Sequence, residues 1–149
     1  MFDGESKPLL DSVRKALEAQ NVTHLLVVAR SRGEAAFPVE QGHIGIGSVE
    51  GLGYYIDKVT QIKNTDVGMS DRGYLAPFTY YRLMLFEFAR AAVVGEERVA
   101  ASMLHPIAGS GETDPWELVS SQQKFDDIDV LLKKHMGAAL ARLRARARP

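Results

Sequence analysis

Between Phe78 and Val94 the chain carries only three charged residues, Arg82, Glu87 and Arg90. Drawn on a helical wheel, the segment is apolar in nearly every direction. That limits the fold more than any other feature, because an element apolar all round must lie in a core or press against another chain. It is too short to cross a bilayer, and Glu87 and Arg90 interrupt it, so no membrane span is expected. The spacing predicts a helix over Phe78–Val94, stopped by Gly95. A further short helix is expected over Glu96–Leu104, before His105-Pro106.

The chain has 149 residues, the length of about one domain and enough to bury a core without covalent staples. Its 46% hydrophobic and 25% charged content is ordinary for a globular protein. We expect a single domain over 1–139, followed by a basic C-terminal tail over 140–149. There is no cysteine, which excludes disulfides, thiolate metal sites and cysteine nucleophiles and fits a reducing compartment. The opening MFDGESKPLLDSV has no basic stretch leading into an apolar run, so no secretory signal is read and the expected location is cytoplasmic.

Other elements follow from local patterns. Leu9, Leu10, Val13, Ala16 and Leu17 repeat at helical spacing behind Ser6 and Pro8, predicting an amphipathic helix over 7–20. Val22–Ala29 is a continuous apolar run that reads as a central strand covered on both faces. Glu34–Val39 reads as a second strand, at an edge because Pro38 lacks an amide donor, and His43–Gly47 as a short third. Leu52, Tyr55, Ile56, Val59 and Ile62 keep helical spacing, predicting a helix over Val49–Lys63. The strand-forming Tyr, Ile, Val and Thr there leave 54–63 open between helix and strand. Asn64–Pro77 reads as a loop.

Asp114-Pro115-Trp116-Glu117 combines a cap, a first-turn proline and an early acid, a strong helix start. A second start is expected at Asp126, with Phe125, Ile128, Leu132, Met136, Leu140 and Leu143 as the apolar stripe of a last helix. The fold class expected is therefore mixed α+β: a small sheet of three or more strands packed by several helices in one compact domain.

Chemistry-bearing patterns are sparse. The stretch from Gly42 to Gly53 holds five glycines, and a helix starting at Ser48 would aim bare amides at an anion. This makes Gly45, Gly47, Ser48 and Gly51 candidate ligand-binding residues. No lysine follows to complete a P-loop, and the G-x-G-x-x-G spacing fails, so a tight chain connection is the plainer reading. His105, Ser110 and Asp114 lie close in sequence, but proximity along the chain does not make a triad, and no catalytic residue is assigned. The four histidines lack metal-ligand spacing, and Asp126, Asp127 and Asp129 read as helix-capping acids. Neither metal nor cofactor is expected.

Two surfaces remain. Tyr80, Tyr81 and Arg82 sit in an aromatic-rich stretch typical of interface anchors. Residues 130–149 hold six cations and no acid, leaving −7 on the rest of a chain whose net charge is −1. Arg142, Arg144 and Arg146 are therefore candidates for gripping phosphates or an acidic partner. The leading functional expectation is a non-enzymatic assembly subunit that self-associates, or docks to a protein partner, through its apolar helix. Beside it stand a domain binding a small anionic ligand at the glycine loop, with catalysis left open, and, more weakly, nucleic-acid contact through the tail.

Overall fold

The structure is a computed structural model that describes residues 7–39, 42–64, 69–106 and 114–146. About half of the described chain is strand and about a third helix. The elements are α1 (Lys7–Glu18), β1 (His24–Arg30), β2 (Arg32–Glu34), β3 (Phe37–Val39), β4 (Gly42–Ile44), β5 (Ser48–Asn64), β6 (Met69–Glu87), β7 (Ala92–Ser102), β8 (His105–Pro106), α2 (Pro115–Leu118), α3 (Ser121–Leu131) and α4 (Gly137–Arg146), with a π-helical turn (Leu132–Met136) joining the last two.

The expected fold class is overturned: this is an antiparallel, sheet-dominated fold, not a small sheet packed by several helices. Three expected helices are strands. Val49–Lys63 lies in β5, Phe78–Val94 in β6, its turn and the start of β7, and Glu96–Leu104 mostly in β7. The expected loop over 64–77 also gives way to strand from Met69 onward. The cause lies in the apolar pattern itself. A strand covered on both faces is as free of polar positions as a buried helix, and periodicity alone does not separate them. β-branched and aromatic residues then favour the extended form, including across 54–63.

β6 is the spine. Along one side it pairs with β5 (Asn64↔Met69 to Gly51↔Tyr80) and then with β1 (Arg30↔Tyr81 to His24↔Glu87). Along the other it pairs with β8 and then β7. The handover on the first side falls at Ser31. Its N–H donates to Tyr80 O at 3.0 Å, while its carbonyl accepts from Gly51 N at 3.3 Å. Beyond Ser31 the chain leaves β6 and continues as β2 against β5, in register Arg32↔Glu50. β5 is thereby wedged between β2 and β6.

Both faces of β6 are covered in part. Tyr74, Ala76 and Phe78 join Ala35, Phe37 and Val49 in one core, roofed by Phe37 of the small β3–β4 hairpin. Leu83 joins Val99, Ala139 and Leu143 in the other, where α4 lies on the sheet. Burying a side chain of this size contributes roughly 1.5–3 kcal/mol each. α4 is also tied down electrostatically: Glu97 on β7 accepts Arg142 Nε at 2.7 Å and lies 2.8 Å from an Arg146 Nη.

The helix expected from Asp126 begins earlier, at Ser121, where the Ser120 side chain accepts from Gln123 N at 3.1 Å. Its buried residues are Asp127, Leu131, Ala139 and Leu143, and Phe125, expected in the stripe, is exposed. The π turn explains the difference. At about 100° per residue, Leu131 and Leu143 would stand about 120° apart on an unbroken α-helix, but a turn that absorbs one extra residue brings them within about 20°.

Candidate interaction surface

The first expected strand forms, but as an edge rather than a central strand. β1 pairs only with β6 among the described residues. Thr23 O accepts from Phe88 N at 3.1 Å and Ser31 N donates to Tyr80 O. With the period of two in between, Leu25, Val27 and Ala29 direct their amides and carbonyls at β6. Those of His24, Leu26, Val28 and Arg30 therefore point outward, along an edge no described strand covers. The side chains along this edge are apolar and open on both faces of the sheet: Leu26 is 39%, Val27 36% and Val28 46% exposed.

The opposite edge is built differently. β7 carries Glu96, Glu97 and Arg98 in succession, and its register with β6 slips at Gly95. Charge and a bulge are the usual means by which an edge strand resists pairing with another chain. β1 has neither between Leu25 and Ala29, and no proline; its one charged side chain, Arg30, stands at its end. α1 precedes it, joined by a turn at Asn21 in the left-handed conformation (φ 56°). Every residue from Asp11 to Ala16 on that helix is exposed, including the apolar-stripe residues Val13 and Ala16.

A second feature lies where β5 meets α2 and α3. An open hollow of about 550 Å³ is lined by Gly53, Tyr54, Ile56, Asp114 and Trp116. Asp114 caps α2 as the sequence implies, accepting from Trp116 N at 3.0 Å, and it also accepts from Lys58 Nζ at 2.6 Å. The Lys58 hydrogen bond first, then that from Trp116, hold its carboxyl below the ordinary range. Lys124 Nζ stands 3.8 Å over the Trp116 ring, and the Tyr54 hydroxyl donates to Lys124 O at 2.5 Å. Burial, with the charge of Asp127 adding to it, pushes the Tyr54 phenol up to about 12.

Asp127, read from sequence as a capping acid, is instead buried inside α3, where its Oδ1 accepts from Gln123 Nε2 at 2.8 Å. His105 Nε2 is 2.9 Å from its Oδ2, yet neither atom meets hydrogen-bond geometry. The contact is thus Coulombic attraction when the imidazole is protonated, not a directed bond. It ties α3 to β8. Of the set His105, Ser110 and Asp114, Ser110 lies outside the described residues.

The other candidates fall apart in space. No helix begins at Ser48, so the amides expected to face an anion instead belong to strand pairing. Ser48 Oγ accepts from Arg32 Nε at 2.8 Å, and Gly47 O accepts from Ala35 N. Gly45, at φ +120°, is pressed so closely on Ala35 that a Cβ would lie 2.2 Å from its carbonyl oxygen. Gly51 lies at the Ser31 handover. Strand alternation sends Tyr80 and Tyr81 to opposite faces, the first onto the Phe37 core and the second onto the Leu83 core. Arg82 is exposed, opposite Arg98 and 3.8 Å from Glu96. Arg142 and Arg146 are occupied by Glu97, while Arg144 is exposed on α4. Among the described residues no group of His, Asp and Glu could hold a metal ion, and no helix is long and apolar enough to cross a membrane.

The open edge had a signal in the sequence: Leu25–Ala29 contains no charge, glycine or proline. The same feature read as a strand hidden in the centre of a sheet. No protein-family description, curated protein or solved structure matches this chain.

Proposed function

We propose that this protein is an assembly subunit whose β1 edge takes up a strand from another polypeptide. The observation that carries this reading is the outward row of amides and carbonyls at His24, Leu26, Val28 and Arg30, set among exposed Leu26, Val27 and Val28. A free edge of this kind gives a partner main-chain hydrogen bonds for affinity, while the alternating side chains give selectivity. The exposed flank of α1, which leads into β1 through Asn21, offers further apolar surface.

The test is the size of the particle in which the chain travels in its own cell extract, compared with a Val27→Lys variant. A lysine in mid-edge disfavours strand addition while leaving the bonds from β1 to β6 in place. The expected result is a native chain eluting above monomer size and a variant eluting as a monomer with unchanged circular dichroism. A native chain that elutes as a monomer overturns the reading.

A further inference from the structure

The strand edge points to a particular occupant. We infer that β1 pairs with β1 of a second copy, antiparallel, about a two-fold axis at Val27. This rests on the preceding reading of the β1 edge and names its partner.

Pairing centred on Val27 is the one register that overlaps all of His24–Arg30. In it Val27 faces Val27, Leu26 faces Val28 and Leu25 faces Ala29 of the other copy, so every central pair is apolar against apolar. The outward-directed residues, His24, Leu26, Val28 and Arg30, fall opposite one another as hydrogen-bonded pairs. Val27 becomes a non-hydrogen-bonded pair because its own amide and carbonyl are committed to β6. β1 carries no acid, so no carboxylate repulsion arises within the pairing. At its ends Arg30 meets His24 of the other copy, and Glu50, 3.8 Å from Arg30, offsets that charge.

The alternative second-copy arrangement, β1 onto β7 of the next molecule, would build an open filament rather than a closed pair. The charged triplet Glu96-Glu97-Arg98 and the slip at Gly95 oppose it. A seven-residue pairing about 23 Å long, across one sheet thickness of about 10 Å, covers roughly 230 Å², short of the roughly 800 Å² per partner of a standard interface. The α1 flank with exposed Val13 and Ala16, joined to β1 through Asn21, offers apolar surface to make up the difference.

The 149 residues include no cysteine, so each introduced thiol is unique among them. In this register the two Val27 Cα atoms stand about 4.5 Å apart, within disulfide reach. The two Leu25 positions stand about 13 Å apart, at about 3.3 Å per residue. Purified Val27→Cys, oxidised under mild conditions, is expected to cross-link at least tenfold faster than Leu25→Cys or Ala29→Cys alone. Mixing Leu25→Cys with Ala29→Cys is expected to restore a cross-linked hetero-pair. Equal rates for all three single variants, or a wild-type chain that sediments as a monomer at all concentrations, overturn the inference. If that purified monomer still travels in a larger particle in extract, lost on Val27→Lys, the edge serves another protein and only the identity of the occupant has failed.

Discussion

Gly51 passes against the side chain of Arg30: a Cβ at Gly51 would lie 2.9 Å from Arg30 Cδ and 3.2 Å from its Cγ. This is the point where β5 enters between β2 and β6, and the backbone of Gly51 turns through φ +69° to do so. Gly51→Ala should cost about 1–2 kcal/mol from the left-handed backbone, with the Arg30 contact added. In an Arg30→Ala background the cost should fall toward the backbone part alone. Urea denaturation of the four members of this double-mutant cycle measures the coupling. A neutral Gly51→Ala would refute the crossing geometry.

Glu97 holds the end of the helical rod by binding Arg142 and Arg146 together, with a side chain only 10% exposed. Each arginine is about half exposed and can rehydrate when released, which limits the loss. Glu97→Ala is expected to lower stability by about 1–2 kcal/mol. Raising salt should narrow the gap between wild type and variant. Thermal unfolding at low and high ionic strength reads both effects.

Acid should loosen the β5 side of the sheet. Burial works to raise the Asp57 carboxyl, but the amides of Thr60 and Val59 and the Thr60 hydroxyl together outweigh it and hold it below the ordinary range. Asp114 is lowered as well, by Lys58 and the Trp116 amide. A carboxyl depressed in the folded state contributes stability that is complete above its unfolded value of about 4. That contribution is lost as pH falls through the folded value. Tm should therefore drop below about pH 4, and Asp57→Asn should flatten that acid limb. An unchanged limb in the variant would count against the turn at Asp57.

Tyr54 gives the alkaline counterpart. Its phenol ionises near 12 in the folded protein, against about 10 unfolded. Stability linked to the neutral phenol is thus lost as pH climbs above about 10. Ultraviolet titration of Tyr54→Phe against wild type isolates its ionisation. Asp127→Asn, which removes the neighbouring charge, should shift it downward. No downward shift would mean that burial alone sets the value.

α1 and the cap at Asp114 were legible because each has a short local cause: an apolar repeat behind a proline, and a carboxylate ahead of one. The existence of β1 was legible for the same reason, though its position in the sheet was not. β6 was misread because Phe78–Val94 is apolar in both periodicities, and β5 because Leu52, Tyr55, Ile56, Val59 and Ile62 also keep helical spacing; only the pairing partners decide between helix and strand. The stripe of the last helix was misread at Phe125 and Leu132 because the π turn shifts the phase between Leu131 and Ala139. Asp127 and His105 are far apart in sequence, and nothing local marks either as a neighbour of the other. The helix expected to begin at Ser48 behind the glycine loop is absent, since Ser48 opens a strand.

The long spine has a consequence for how the chain is made. β1 leaves the ribosome well before its pairing partner, the C-terminal half of β6, which emerges only after the whole β2–β5 region. Until then Leu25–Ala29 has both edges bare instead of one. Such dependence on distant partners slows folding and exposes nascent chains to premature association. Synthesis rate and chaperone supply should govern the yield of this protein more strongly than the final stability of its sheet.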